Sequence, residues 1–391
     1  MKFAHFSDCH IGGWRDPKLR DLGLQSFQRA MQECINEFVG FVIIAGDLFD
    51  TAWPSVDIVK DVTGILRELR DHDIPVYVIP GSHDYSPSGK TIIDILEKAG
   101  LVENIAKKEI TIDRTGIKLI GMHGRKGALE KEDYLILDRA KIEAEEGKKI
   151  FVFHTLLEEM KPEQFQQVEG MSMALLPKGC GYYAGGHPHF QRAVQFPGYG
   201  TIAYPGPTFP NNFKELEELE CGRYIMVEVI EEWKVQYRKI PLRDVQSYLI
   251  SAEGKTPVQL EAELREKIKD VANKIILVRI EGCLREGKGS DVNWKMMHEH
   301  FADAYVLLKN TTKLTSKEYE SPEVDHNRTI EEIEQQLILA KKEKTPALED
   351  RWISQLMRAL IAEKQEGERV IDFEQRVLRD MESVMRLENV R

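Results

Sequence analysis

Short apolar runs of the length of buried strands recur along the first part of the chain. They are FAHFS from Phe3, FVIIAG from Phe41, VYVIPG from Val76, IKLIGM from Ile117, KIFVFH from Lys149, GYYAGG from Gly181, TIAYPG from Thr201 and YIMVEVI from Tyr224. Between several of them the period lengthens to that of a helix. Arg20 to Glu37 sets Leu24, Phe27, Met31, Cys34 and Ile35 on one stripe, and Val59 to Leu69 does the same with Val59, Val62, Leu66 and Leu69. Buried strands alternating with amphipathic helices predict an α/β layered fold over residues 1–240, with central β-sheets flanked by helices.

The texture changes at Pro241. Residues 241–310 read as a small α+β domain, with helices over Gln259 to Lys269 and Asp291 to Phe301 on either side of the strand-like KIILVRIEG. Residues 311–345 open on TTKLTSKEYESPEVDHNRT, polar and without period, and read as a linker. Residues 346–391 hold two amphipathic helices, one with Leu348, Trp352, Leu356 and Leu360 in a stripe, the other with Val370, Phe373, Val377, Met381 and Val384. Stripes set apart from the rest of the chain by a polar linker predict a partner-binding region. Truncation after about Leu308 is then expected to leave the remainder folded.

Composition narrows the class. A chain of 391 residues exceeds one ordinary core, so two or three domains are expected. No apolar run approaches the roughly 18 residues of a membrane span, and Asp8 and His10 arrive before a signal-like segment can form, so a soluble cytoplasmic protein is expected. The five cysteines make no C-x-x-C pair, which argues against a disulfide framework or a zinc finger. The net charge of −11 argues against nucleic-acid binding through a broad basic surface.

The polar groups that interrupt the apolar runs carry the chemistry. FSDCH puts Asp8 and His10 on one side of an extended chain and Cys9 on the other. AGDLFD ends a strand at Asp47, with Asp50 close behind; PGSHD supplies Ser82, His83 and Asp84; VFHT supplies His154; GGHPH supplies His187 and His189. Five strand ends thus bear metal-capable side chains, and open α/β sheets collect their ligands at the carboxyl ends of strands. A set of carboxylates and imidazoles without thiolate favours manganese, iron or magnesium over structural zinc. Asp47 is suited to bridge two ions. Such a pair, about 3.5–4 Å apart, serves in-line displacement at a phosphoester. His83 is placed to assist the departing oxygen, with Asp84 expected to orient its ring.

These blocks resemble the five-block pattern of the calcineurin-like metallophosphoesterases: D-x-H at Asp8 and His10, G-D-x-x-D at Gly46 to Asp50, the G-N-H-D block written here as Gly81 to Asp84, a lone His154, and G-H-x-H at Gly186 to His189. The order of elements, the YPGP turn at Tyr204 and the terminal helices resemble the SbcD-type nuclease subunit of archaeal and bacterial double-strand-break repair. The resemblance implies one ion on Asp8, His10, Asp47 and His189, and a second on Asp47, the position of Ser82, His154 and His187. It implies that His83 acts on the transition state. It further implies two Mn2+ ions per subunit, with Mg2+ or Fe2+ as alternatives, and 3′-to-5′ exonuclease and single-strand endonuclease activity on DNA. Its other implications are a DNA-holding capping domain, a homodimer formed near residues 15–38 or 55–69, and a coiled-coil, SMC-like repair ATPase gripped by the terminal helices. Asp50 stands where some archaeal relatives carry a second histidine and receives no catalytic role. Two other readings are a general nucleotide phosphodiesterase and a weakly active scaffold that binds DNA ends.

Ser82 stands where the pattern has asparagine. A serine hydroxyl on its short stem reaches an ion less well than a carboxamide oxygen. The second ion is therefore expected to bind more weakly, on the order of 10- to 100-fold. A manganese titration of Ser82→Asn checks this: a tightened second site is expected, and an unchanged curve contradicts it.

Overall fold

In a computed structural model of the chain, residues 1–86, 90–125, 130–317, 360 and 370–386 are described. In chain order the first elements are β1 (Lys2–Phe6), α1 (Pro17–Asn36), β2 (Val42–Ala45), α2 (Val56–Asp71), β3 (Val76–Ile79), α3 (Ile92–Lys98), β4 (Glu103–Asn104), β5 (Thr111–Ile112) and β6 (Lys118–Gly121). Next come α4 (Lys131–Ile136), α5 (Arg139–Ala144), β7 (Lys149–His154), β8 (Tyr182–Gly186), β9 (Arg192–Gln195), β10 (Thr201–Tyr204), α6 (Phe213–Leu219), β11 (Gly222–Val229) and β12 (Trp233–Ile240). Then follow β13 (Val245–Ser251), α7 (Pro257–Lys267), β14 (Ile275–Leu284), α8 (Trp294–His300), β15 (Val306–Ser316) and α9 (Val370–Arg386). The apolar runs read from the sequence all become strands. α1 starts ahead of its apolar stripe because the Asp16 side chain accepts from the Lys18 and Leu19 N–H groups and Pro17 presets the first turn.

Two six-stranded sheets form the centre, one in the order β12-β11-β1-β2-β3-β4 and the other β5-β6-β7-β8-β10-β9. The period of two sorts β1 between its two faces. Ala4 and Phe6 join a core with α1 and α2 residues, while Phe3 joins Ile43, Ile150, Val152 and Tyr182 between the sheets. Phe3 stacks on Phe41 with ring centroids 4.9 Å apart. Another core covers the outer face of the second sheet around Phe151, Phe153 and Tyr204. The layers therefore run helix, sheet, sheet, helix, as the α/β reading expects. No described helix is long and apolar enough to cross a membrane.

Strands β13, β14 and β15 pair in parallel as a third sheet, with α7 and α8 in the connections. Alternation along β14 divides its side chains. Ile276, Val278 and Ile280 pack with Leu260, Leu264 and Met297, whereas Ile275 and Leu277 join Leu19, Leu22 and Leu216 of the main body. One boundary in the sequence reading is corrected here. The linker expected from residue 311 begins later, because Thr311 to Ser316 continue β15, and Lys313 to Ser316 pair with Glu281 to Leu284 beyond a register shift. The Thr-rich alternation that looked aperiodic fits a half-buried strand, and a cut after Leu308 would sever it. The expected helix over Leu348 to Leu360 lies outside the described residues apart from Leu360, which is exposed; in α9, Phe373, Val377 and Met381 are half-buried and Ile371 and Leu378 exposed.

His5 sits between the central sheets, fully buried, with Nδ1 2.9 Å from the Tyr182 hydroxyl. Burial lowers its pKa from the ordinary histidine value to about 3. The unfolded chain takes up a proton near pH 6.5 and the folded chain does not, so this contribution to stability is complete above pH 6.5 and is lost as pH falls toward 3. Denaturant unfolding at pH 7 and pH 5 should show a loss of about 2 kcal/mol from this residue. His5→Gln is expected to flatten that part of the pH dependence; an identical dependence in both proteins contradicts the assignment.

Candidate metal centre

β1, β2 and β3 of the first sheet and β7 and β8 of the second direct their carboxyl ends to one place. Asp8, Asp47, Ser82, His154 and His187 stand on or just after these ends. Their backbone is bent to do so. Asp8, His10, Asp47 and His187 are four of the nine non-glycine residues with positive φ among those described. Each such residue costs on the order of 1–3 kcal/mol, which the surrounding fold must offset. The sheets approach so closely that a Cβ on Gly186 would strike the Ala45 carbonyl oxygen, and one on Gly81 would strike the Asp47 carboxylate.

Asp47 lies at the middle. Its Oδ1 accepts the His83 backbone N–H at 2.7 Å, and its Oδ2 is 3.2 Å from His154 Nε2, 3.7 Å from His10 Nε2 and 3.4 Å from the Ser82 hydroxyl that donates to it. Asp8 accepts from the Ser7 hydroxyl at 2.6 Å and from the His187 N–H at 3.0 Å. His10 Nε2 and His189 Nε2 are 3.1 Å apart, and the His154 and His187 ring centroids 5.3 Å apart. Metal-capable atoms of Asp8, His10 and His189 gather within 4.8 Å of one another, as do those of Asp8, Asp47 and His154.

The histidine rings are oriented by their other nitrogens. His154 Nδ1 faces the Ala45 carbonyl at 2.8 Å, which turns its buried Nε2 into the site toward the Asp47 carboxylate. His189 Nδ1 faces Glu215 at 2.8 Å, and His10 Nδ1 faces the Asp50 carboxylate at 3.3 Å. Carboxylate or carbonyl behind imidazole is the arrangement that metal-bound histidines take. A buried imidazole nitrogen gathered with two buried carboxylates fits a divalent cation.

Electrostatics agree with that fit. Burial opposes the charge of Asp47, yet His154 and His10 hold its carboxyl well below the usual range. Burial also opposes protonation of His154 and His189, but Asp47 pushes the first up to about 10, and Glu215 with Asp8 pushes the second up to about 9. The site thus retains cationic charge among its carboxylates, which a metal must displace.

The sequence-expected residues Asp8, His10, Asp47, Ser82, His83, His154, His187 and His189 all come to this centre. Asp84 has a different task from the one expected. Its buried carboxylate accepts from the N–H groups of Leu48, Phe49 and Gly81, each at 3.1 Å, and so staples two strand-end loops together; the ring of His83 is instead set by Nδ1 against the Asp50 carbonyl at 2.7 Å. Asp50, given no role from the sequence, braces the His10 and His83 rings, and Glu215 is the residue that sequence reasoning missed. Asn212 and Glu215 do spell a helix start, with the Asn212 side chain accepting from the Glu215 N–H, but spacing does not reveal the contact with His189. A cleft of about 450 Å3 opens beside the centre, lined by Ser82, His83, Arg125, Lys131, His154 and His187.

Residues 1–191 match the family described as calcineurin-like phosphoesterase. They form a calcineurin-like metallophosphoesterase domain, and the chain is a metal-dependent phosphodiesterase. Three relatives named DNA double-strand break repair protein Mre11 match well beyond this domain. The protein of Archaeoglobus fulgidus is 23% identical over 354 residues, covering 86% of this chain and 76% of that one. That of Sulfolobus acidocaldarius is 25% identical over 79% of this chain and 82% of its own, and that of Sulfurisphaera tokodaii 26% identical over 85% and 86%. The metallophosphoesterase domain places carboxylates and imidazoles where divalent ions serve phosphoester hydrolysis.

Proposed function

We propose that this chain is a manganese-dependent nuclease that processes DNA ends in double-strand-break repair, as a 3′-to-5′ exonuclease and single-strand endonuclease in the cytoplasm. The observation that carries this reading is the convergence on Asp47 of His10, Ser82 and His154, which come from the ends of three further strands in the two sheets. Likeness to relatives named for double-strand-break repair along most of the chain favours DNA over a small nucleotide.

Asp8, His10, Asp47 and His189 would hold one ion, and Asp47, Ser82, His154 and His187 the other. Bound there, the ions supply Lewis acidity and an activated water for in-line attack. The protein's part is to fix the geometry. Ala45, Glu215 and Asp50 aim the imidazoles. His83 Nδ1 is engaged by the Asp50 carbonyl, so Nε2 is the nitrogen left to serve the departing oxygen. As imidazolium it donates a proton there. The net charge of −11 leaves attraction of DNA at the site to the metals.

The described side chains of α9 include none that is buried, which supports a role for the terminal region in gripping a coiled-coil ATPase. Residues 241–316 serve as the capping domain, and the chain acts as a homodimer.

The test uses the full chain with Mn2+ on end-labelled duplex DNA, single-stranded DNA and a cyclic dinucleotide. Degradation of DNA is expected, with a loss on the order of 10²–10⁴-fold in His83→Ala while Mn2+ binding persists. Cleavage of the dinucleotide alone would instead favour a general phosphodiesterase, and DNA binding without cleavage a scaffold.

A further inference from the structure

α6 touches the metal centre with one side and the third sheet with the other. At its start, both carboxylate oxygens of Glu215 are engaged. Oε1 faces His189 Nδ1 at 2.8 Å and accepts from the Asn212 amide, and Oε2 accepts from the Asn211 N–H at 2.7 Å. The Asn211 side-chain amide reaches the Asp50 carboxylate at 3.4 Å, and that carboxylate faces His10 Nδ1 at 3.3 Å. The turn leading into α6 is itself pinned to the loop after β1, because Trp14 Nε1 donates to the Pro210 carbonyl at 2.8 Å. Both imidazoles grouped with Asp8 are thus braced from one short stretch of chain.

The opposite side of α6 belongs to β14. Two residues beyond Glu215, Glu217 pairs with Arg279 through two contacts, Nη2 to Oε2 at 2.6 Å and Nε to Oε1 at 3.2 Å. The same guanidinium lies 5.1 Å from the centroid of the Phe213 ring. Leu216, fully buried, packs with Ile275, Leu277 and Val306. Ile275, Leu277 and Arg279 are successive alternate positions of one strand, so a single face of the sheet holds the helix by an apolar contact and an ion pair together. A shift in the pairing of β14 with β15 follows immediately, between Arg279 and Glu281, where a strand bends most readily.

From this geometry we infer that α6 makes the seating of the third sheet and the affinity of the Asp8, His10 and His189 site depend on each other, with Glu215 as the positioning residue for His189 and Arg279 as the hold on the helix. The inference rests on the reading that these three side chains bind an ion. A helix of seven residues, fixed at both faces, has little freedom to absorb a displacement of the sheet. Any shift of Arg279, Ile275 and Leu277 therefore moves Glu215 and the ring it aims. Linkage requires the converse, that an ion bound at His189 steadies the sheet by the same free energy. DNA or a partner protein pressing on the third sheet would then tune the first ion without touching it.

Calorimetric Mn2+ titration of the full chain tests this, with circular dichroism to establish that each variant is folded. Glu215→Gln is expected to weaken one of the bound ions by about 10- to 100-fold. Arg279→Ala and the milder Glu217→Gln, neither in contact with the site, are expected to weaken that same ion by about 5-fold or more. Arg279→Lys should recover part of the loss, since it keeps the charge without the paired geometry. Hydrogen exchange in β14 and β15 should slow on Mn2+ addition in the unaltered protein and respond less in Glu215→Gln. Wild-type affinity in both Arg279→Ala and Glu217→Gln overturns the link. His189→Ala separates the two readings: loss of one ion there upholds the metal site whatever the fate of the link, and retention of every ion overturns the site and the link together.

Discussion

The structure depends on how the two central sheets meet at the carboxyl ends of β2 and β8. Gly186 lies against the Ala45 carbonyl with no room for a Cβ, and the same carbonyl receives Nδ1 of His154. One oxygen thereby sets both the spacing of the sheets and the direction of a buried imidazole. Asp47, two residues further on, faces the Nε2 so directed at 3.2 Å. Residues on separate strands of separate sheets reach hydrogen-bonding range only because the backbone closes in this way. The positive φ at Asp8, His10, Asp47 and His187 is the strain that accompanies it. Extensive apolar burial on both faces of both sheets holds those strained ends in place.

Charge and shape then act together. Two buried carboxylates facing several imidazoles would be unfavourable as an apolar core and would repel one another without cations. His154 and His189 carry raised pKa values because the carboxylates demand positive charge. The third sheet adds a different element. It shares one apolar contact layer with α1 and α6, and through α6 it touches the residues that aim His189 and His10.

Much of this was legible in the sequence because buried strands read as apolar runs, and because an apolar run that closes on Asp or His advertises that side chain. Asp8, Asp47, His154, His187 and His189 were found in this way. Asp84 was harder. Adjacency to His83 suggested that it orients the ring, yet a turn carries neighbouring side chains in different directions, and its carboxylate serves three backbone N–H groups instead. Glu215 was not legible at all, since its contact with His189 bridges 26 residues and depends on how α6 packs. The extent of β15 was lost for a related reason. Its last residues lie on a half-buried strand whose register against β14 shifts at Arg279 to Glu281, so neither hydrophobicity nor period marks it.

In the proposed function Asp47 would hold two ions close enough to work on one phosphoester. The most direct measurement is the electron paramagnetic resonance spectrum of the full chain loaded with Mn2+. A spin-coupled manganese pair is expected, and its coupling should vanish in Asp47→Asn. A spectrum of isolated Mn2+ at every loading, or a coupled pair that survives loss of the Asp47 carboxylate, would contradict it.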